Sequence, residues 1–187
     1  MKSFFQALHL LTEAELSQLH GLTAPKRLGK GDFLIRAGTV CTEFVYVRTG
    51  LLRSFYVKDN GEEVTYCLTF PGQPMTALSS LITQRPTEEN IQALVPTEVE
   101  VLRRDDLERL YATSSGWTKT GKFLTEQQYV ELEKRIFSMQ RLSAQQRYQQ
   151  LLEQHPVYVQ QVPLRHLASL LGITPRHLSR LRRAVVF

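Results

Sequence analysis

Four arginines fall within eight residues near the C-terminal end of the sequence: Arg176, Arg180, Arg182 and Arg183. They follow Thr174-Pro175, a helix-capping residue with a proline in the first turn, where no backbone N–H is missed. Ahead of them lies Leu164-x-x-Leu-Ala-x-x-Leu-Gly-Ile, which reads as a first helix closed by Gly172. Ala168 is small where two helices must cross, and Gly172 permits a left-handed turn. Ile173, Leu178 and Leu181 anchor the second helix on Leu167 and Leu171. What remains outward is Arg176, His177, Ser179, Arg180, Arg182 and Arg183, so the segment is a helix-turn-helix pattern. Such a helix fits the major groove of B-DNA, where an arginine can bond bidentately to guanine O6 and N7. The competing reading is a helical hairpin whose arginines are exposed for solubility.

Other chemistries find no residues to carry them. The sequence has no G-x-S-x-G, H-E-x-x-H, P-loop or Gly-rich dinucleotide fingerprint. Its five histidines are His9, His20, His155, His166 and His177, and none lies between residues 21 and 154. A cupin-type metal oxygenase needs two or three inward histidines plus a carboxylate, which argues against an enzyme and against a metal. Cys41 and Cys67 are too few for a disulfide framework or a four-thiolate cage, and both read as small buried hydrophobes. His166 and His177 read as solvated surface residues. No cofactor is expected.

The charge distribution agrees with an anionic partner for the C-terminal module. The 187 residues carry a net +5. From Gln140 onward seven arginines stand against one acid, Glu153, a charge of +6, and the 139 residues before them carry −1. Hydrophobic residues make up 42% and charged residues 22%, enough for a real core. No run approaches a membrane span, and no signal peptide is recognised, so a cytoplasmic protein with no membrane partner is expected.

The elements that must position the arginines are of two kinds. The first element is a short helix opened by the capping box Thr12-x-x-Glu15, with Leu11 and Leu16 at staple positions and Gly21 as its stop. From Lys30 to about Leu102 apolar residues recur with period two. Strands are expected at 44–48, 51–57, 64–70 and 96–102, with Gly31, Gly38, Gly50 and Pro71-Gly72 as punctuation. Asn60-Gly61 predicts a tight hairpin with both central residues at positive φ. Many short strands with regular turns imply a sandwich, jelly roll or small barrel. A short helix follows at 105–111, and Ser114-Ser-Gly-Trp117 breaks the pattern.

A long helix is then expected from about Lys119 to Leu142. Tyr129, Leu132, Ile136 and Met139 form one seam, and Phe123, Val130 and Phe137 a second. One seam can pack on the sheet domain and the other on a second copy of the chain, although a helix packed only within its own chain is the alternative. Ser143-x-x-Gln146 opens a further helix that Pro156 ends, and the helix-turn-helix follows.

This order, a glycine-punctuated β-roll, a long helix and a C-terminal helix-turn-helix, resembles the Crp/Fnr family of bacterial transcription regulators. The matching segments are Lys30-Gly-Asp-Phe-Leu-Ile-Arg-Ala-Gly38, Val45-Tyr-Val-Arg-Thr-Gly50, Asp59-Asn-Gly-Glu62, Phe70-Pro-Gly72 and Val162 to Arg180. The resemblance implies an α+β fold. An N-terminal double-stranded β-helix (jelly-roll-like) sensor of the cyclic nucleotide-binding type spans 1–117, a connecting dimerisation helix spans 118–142, and a DNA-binding helix-turn-helix domain spans 143–187. It implies a homodimer joined through Tyr129, Leu132, Ile136 and Met139 that reads a palindrome in double-stranded DNA. Further candidate partners are RNA polymerase and an unidentified small-molecule effector, or none.

The departures from the family pattern are informative. Members that bind cyclic AMP carry Gly-Glu-Leu followed some nine residues later by Arg-Ser, the Glu for the ribose and the Arg for the phosphate. Here Thr76, Ala77 and Leu78 stand for the first, and Thr87-Glu88 for the second. A pocket that lacks its arginine and has Glu88 at its mouth repels a cyclic phosphate, so no control by cyclic AMP is expected. The sensing cluster of the iron–sulfur members needs four cysteines, and a haem ligand from the roll is missing. In the reader, Arg180 keeps its family place, while Arg176 replaces a glutamate, so the half-site differs. Arg176, Arg180 and Ser179 are the candidate base contacts. Arg165, Thr174, Arg182 and Arg183 are the candidate phosphate contacts. The family's β-hairpin wing is not expected, since the sequence stops at Phe187. The alternative function is a small-molecule sensor whose C-terminal module binds a protein.

Overall fold

The computed structural model describes residues 1–184. Two short helices, α1 (Lys2–Ala7) and α2 (Glu13–Ser17), precede the strands. The strands are β1 (Thr23–Leu28), β2 (Phe33–Ile35), β3 (Glu43–Thr49), β4 (Leu52–Val57), β5 (Glu63–Thr69), β6 (Pro74–Met75), β7 (Asn90–Ala93) and β8 (Thr97–Arg103), with helix α3 (Leu78–Thr83) between β6 and β7. They form two four-stranded antiparallel sheets, ordered β1-β8-β3-β6 and β2-β7-β4-β5. Then come α4 (Arg104–Thr113), α5 (Ser115–Arg141), α6 (Ala144–Gln154), α7 (Pro156–Val159), α8 (Leu164–Leu170) and α9 (Pro175–Ala184). The expected α+β fold with a jelly-roll-like domain, long helix and C-terminal helices is present. The position of the expected missing wing, beyond Ala184, lies outside the described residues.

Several local expectations need correction. The helix at Thr12 is not the first element, because α1 precedes it and drives Phe5 edge-on against Trp117, at 5.0 Å between ring centres. The capping box itself is made: Thr12 and Glu15 exchange both bonds. The hairpin at Asn60-Gly61 has only Gly61 at positive φ (+81°). Lys58 accepts from the Gly61 N–H at 2.9 Å and its own N–H reaches Glu62 O at 2.9 Å, a type I turn with the glycine in the left-handed position. The break at 114–117 is confined to Ser114, whose hydroxyl accepts the Trp117 N–H at 3.2 Å and starts α5 earlier than expected. Trp117 is fully buried, so these residues open the helix against the core instead of leaving it.

Two apolar clusters hold the molecule. The first lies between the sheets and includes Val45, Val47, Leu52, Ile91, Val99 and Leu102, closed by Phe5, Leu16 and Trp117. The second joins Leu51, Leu68, Phe70 and Leu94 of the roll to Tyr148, Val162, Leu167, Ala168, Leu171 and Leu178 of the C-terminal helices. Leu51 and Leu52 are neighbours on one chain and belong to different clusters, as the alternation of a strand requires. The sheet containing β4 is therefore covered on both faces.

The C-terminal helices are tied to the long helix by Arg147. Its guanidinium donates from Nη2 to the Leu171 carbonyl at 2.8 Å, from Nε to the same oxygen at 3.2 Å, and from Nη1 to the Leu142 carbonyl. These are the free carbonyls at the ends of α8 and α5. No local pattern points to this clamp, since Arg147 reads in the sequence only as charge.

Gly50 turns the chain between β3 and β4 at φ +91°, and a Cβ there would stand 2.6 Å from Pro96 O and Thr97 Cα. Both are backbone atoms of the adjoining strand end. Gly50→Ala is expected to cost about 2–3 kcal/mol of unfolding free energy, through forced φ and backbone overlap together. Urea denaturation checks this, and Gly61→Ala, with open space around it, should cost clearly less.

Candidate nucleic-acid interface and sensor hollow

The helix-turn-helix is built from α8, a turn and α9. Helix α8 ends in a Schellman arrangement: the Gly172 N–H reaches Ser169 O at 3.0 Å and the Ile173 N–H reaches Ala168 O at 3.0 Å, with Gly172 at φ +67°. Thr174 Oγ1 then accepts the His177 N–H at 3.2 Å and starts α9. Leu167, Ala168 and Leu178 are completely buried where the two helices meet. Burying a leucine stabilises by about 1.5–3 kcal/mol, so these contacts fix α9 on α8.

Around that buried line, α9 turns Arg176, Arg180 and Arg183 to solvent. Ser179 and Arg182 are half-buried, and Arg182 Nε is buried with no hydrogen-bond partner among the described residues. Thr174 and Arg165 are exposed on the turn and on the first turn of α8. The candidate base and phosphate contacts thus occupy one small module, with three of the arginines of α9 fully presented. His166 differs from the expectation of a solvated residue. It is 5% exposed, because its side of α8 faces the roll, and its Nε2 accepts from Arg165 Nε at 3.2 Å. Burial, followed by the charges of Arg53 and Arg165, brings its pKa down from 6.5 to about 4. His177 is half-buried.

The long helix leaves the roll after Leu124, which still packs on the first cluster. Beyond it Tyr129, Leu132, Ile136 and Met139 are 67, 46, 55 and 41% exposed, and Val130 and Phe137 of the second seam are also exposed. Neither of the two apolar seams covers the sheets. The residue of this stretch that turns toward the roll is Arg135, which is half-buried near the side chains of Tyr56, Tyr66 and Cys67 and has no ion pair among the described residues. Met139 also reaches the helix-turn-helix, lying beside Gly172.

The five candidate effector residues are divided between two hollows. Thr76 and Ala77 line one of about 350 Å³ with Lys26, Arg36, Cys41 and Glu43. Thr76 Oγ1 donates to Glu43 O at 2.9 Å, and Ala77 is fully buried. Thr87 and Glu88 line the other, of about 340 Å³, with Tyr56, Tyr66, Ser79, Thr83 and Glu89. Leu78 starts α3 between them and is half-buried. The second hollow has two carboxylates and no lysine or arginine on its wall. Tyr66 hydroxyl bonds to Glu89, and burial raises the pKa of that carboxyl. Glu89 and Arg135 escaped the sequence reading, and only three-dimensional proximity marks them. Cys41 is buried. Cys67 is half-buried, and burial raises its thiol pKa. No three His, Cys, Asp or Glu side chains converge as a metal site among the described residues, and no helix there is long and apolar enough to cross a membrane.

Residues 25–114 match the family model of the cyclic nucleotide-binding domain. No curated protein sequence matches the chain. Among solved structures, FixK2 from Bradyrhizobium japonicum superposes with a TM-score of 0.78 at 16% identity, covering 87% of this chain and 84% of its own. A regulator assigned to the Crp/Fnr family from Eubacterium rectale gives 0.75 at 18%, covering 97% and 87%. The c-di-GMP-responsive global regulator CLP of Xanthomonas campestris gives 0.69 at 14%, covering 93% and 91%. The roll is therefore a cyclic nucleotide-binding-type domain, and the chain as a whole has the fold of the Crp/Fnr family of transcriptional regulators.

Proposed function

We propose that this chain is a sequence-specific DNA-binding transcription regulator of the Crp/Fnr type that acts as a homodimer on a palindromic operator and is not controlled by cyclic AMP. The observation that carries the reading is α9: Arg176, Arg180 and Arg183 project from a helix whose opposite side, at Leu178, is completely buried on α8. A rigidly backed helix with a free row of guanidiniums has the shape and charge of a major-groove reader. In this reading residues 1–117 are the sensor, 118–142 the dimer helix and 143–187 the reader. Arg176, Arg180 and Ser179 meet bases, and Arg165, Thr174, Arg182 and Arg183 meet phosphates.

The dimer seam is supported by the exposure of Tyr129, Leu132, Ile136 and Met139 on one helix, an apolar row that water would otherwise solvate. Two copies joined there would set their α9 helices in successive major grooves, about 34 Å apart. Independence from cyclic AMP is supported by the acidic wall of the hollow at Thr87 and Glu88. A cyclic phosphate needs a cation there, and the wall offers carboxylates.

Selection of bound duplexes from a random pool tests the reading directly. A palindrome with half-sites one helical turn apart is expected, with the logarithm of affinity falling against log salt at a slope of about −0.9 per phosphate neutralised. A shallow slope with no enriched sequence would instead indicate a protein partner for the module. Arg180→Ala should weaken binding by about 1–3 kcal/mol and relax specificity at one base pair; uniform weakening on all sequences would remove its base-reading role. Ile136→Asp should shift the protein from dimer to monomer in sedimentation and reduce operator affinity, while leaving the roll folded. Saturating cyclic AMP should leave both the melting temperature and operator affinity unchanged.

A further inference from the structure

The reader is docked on the sensor through more than the hinge. Helix α8 lies against β5, the edge strand of its sheet. Ser169 Oγ accepts the Thr65 N–H at 2.9 Å, so a side chain of the reader satisfies a donor on that edge. Beside this bond sits a buried charge. Arg53 on β4 is 1% exposed, donates to Thr65 Oγ1 at 2.7 Å and to Glu63 at 2.7 Å, and lies over the ring of Phe55. Its Nη2 is buried without a hydrogen-bond partner among the described residues.

His166 on α8 is buried within the fields of Arg53 and Arg165. A guanidinium can only donate, so the bond from Arg165 Nε requires a lone pair on His166 Nε2. Three charged groups face this imidazole: Arg53 from β4, Glu63 from β5 and Arg165 from α8. The single carboxylate among them is already held by Arg53. A proton on His166 would destroy the acceptor and place a third cation beside one carboxylate.

We propose that His166 is a proton-operated release for the reader: neutral, it allows α8 to dock on β5, and protonated, it drives α8 off the sheet. Burial and the two arginines hold the docked imidazole at about 4, against 6.5 when free, with Glu63 opposing them. A depressed histidine pKa means that docking is complete above about pH 6.5 and is lost as the pH falls toward 4. By linkage between those two values, docking at about pH 5 is weakened about 30-fold. The consequence for DNA rests on the proposed function: Arg165 loses its imidazole partner and the module gains a positive charge, both of which favour a polyanion.

Residue-resolved amide hydrogen exchange on the full chain, corrected for intrinsic rates, tests the release without any DNA. The Thr65 amide should lose protection by about 30-fold between about pH 7.5 and pH 5, while amides of β3 and β8 keep theirs. In His166→Gln, which keeps an acceptor and cannot take the proton, Thr65 protection should be the same at both pH values. Equal protection of Thr65 at both pH values in the unaltered chain overturns the proposal, as does a pH-dependent loss that survives in the variant. Should the variant not fold, NMR titration of the His166 ring in the unaltered chain decides: a midpoint well below 6.5 supports the release, and an ordinary midpoint sinks it.

Discussion

Everything in this molecule depends on the sheet β2-β7-β4-β5 being buried on both faces. One face, through Leu52, Ala93 and Ile91, closes the roll against the other sheet. The opposite face, through Leu51, Leu68 and Phe70, is covered by the C-terminal helices. An antiparallel sheet with a solvated outer face would leave the C-terminal helices without this contact to the roll. Here its outer face is apolar at Leu51, Leu68 and Phe70 and charged at Arg53, and the same cluster that covers it contains Leu167 and Leu178, the residues that set α9 on α8. The roll and the helix-turn-helix thus share one packing unit.

Charge is placed where that packing unit can use it. The exposed arginines of α9 cost little to maintain, because water solvates them. Arg53 is different, since desolvation lowers its pKa and Glu63, Thr65 and the Phe55 ring compensate in part. A buried, incompletely bonded guanidinium at a contact between two modules makes that contact sensitive to any added positive charge. Arg147 plays the opposite part: its guanidinium satisfies the end carbonyls of α5 and α8 together and so ties the two helices.

The long helix shows how a sequence pattern and its use can differ. Its two apolar seams are visible as spacing, and Tyr129, Val130, Leu132, Ile136 and Phe137 of them stay exposed to solvent. The side turned to the roll holds Arg135 near Tyr56, Tyr66 and Cys67. Amphipathic periodicity reports that a face will be covered and says nothing of which neighbour covers it. The effector positions behave likewise: Thr76 and Thr87 align with one pocket in the family pattern, yet line separate hollows on either side of α3.

The helix-turn-helix was legible because its determinants are contiguous. Ala168, Gly172, Thr174 and Leu178 act through bonds and contacts spanning a few residues, so the order of residue types specifies them. The capping boxes at Thr12 and Ser143 were readable for the same reason. Strands β1, β2 and β7 carried too little alternation to be seen, and Pro25 is tolerated in β1 because that strand lies at a sheet edge. The sequence by itself determined the order of β-roll, long helix and helix-turn-helix, and the outward row of arginines. Only the tertiary structure decided that His166 is buried against a charged sheet face. The groups that define its environment, Arg53 and Glu63, lie more than a hundred residues away along the chain, and no local pattern encodes a contact of that separation.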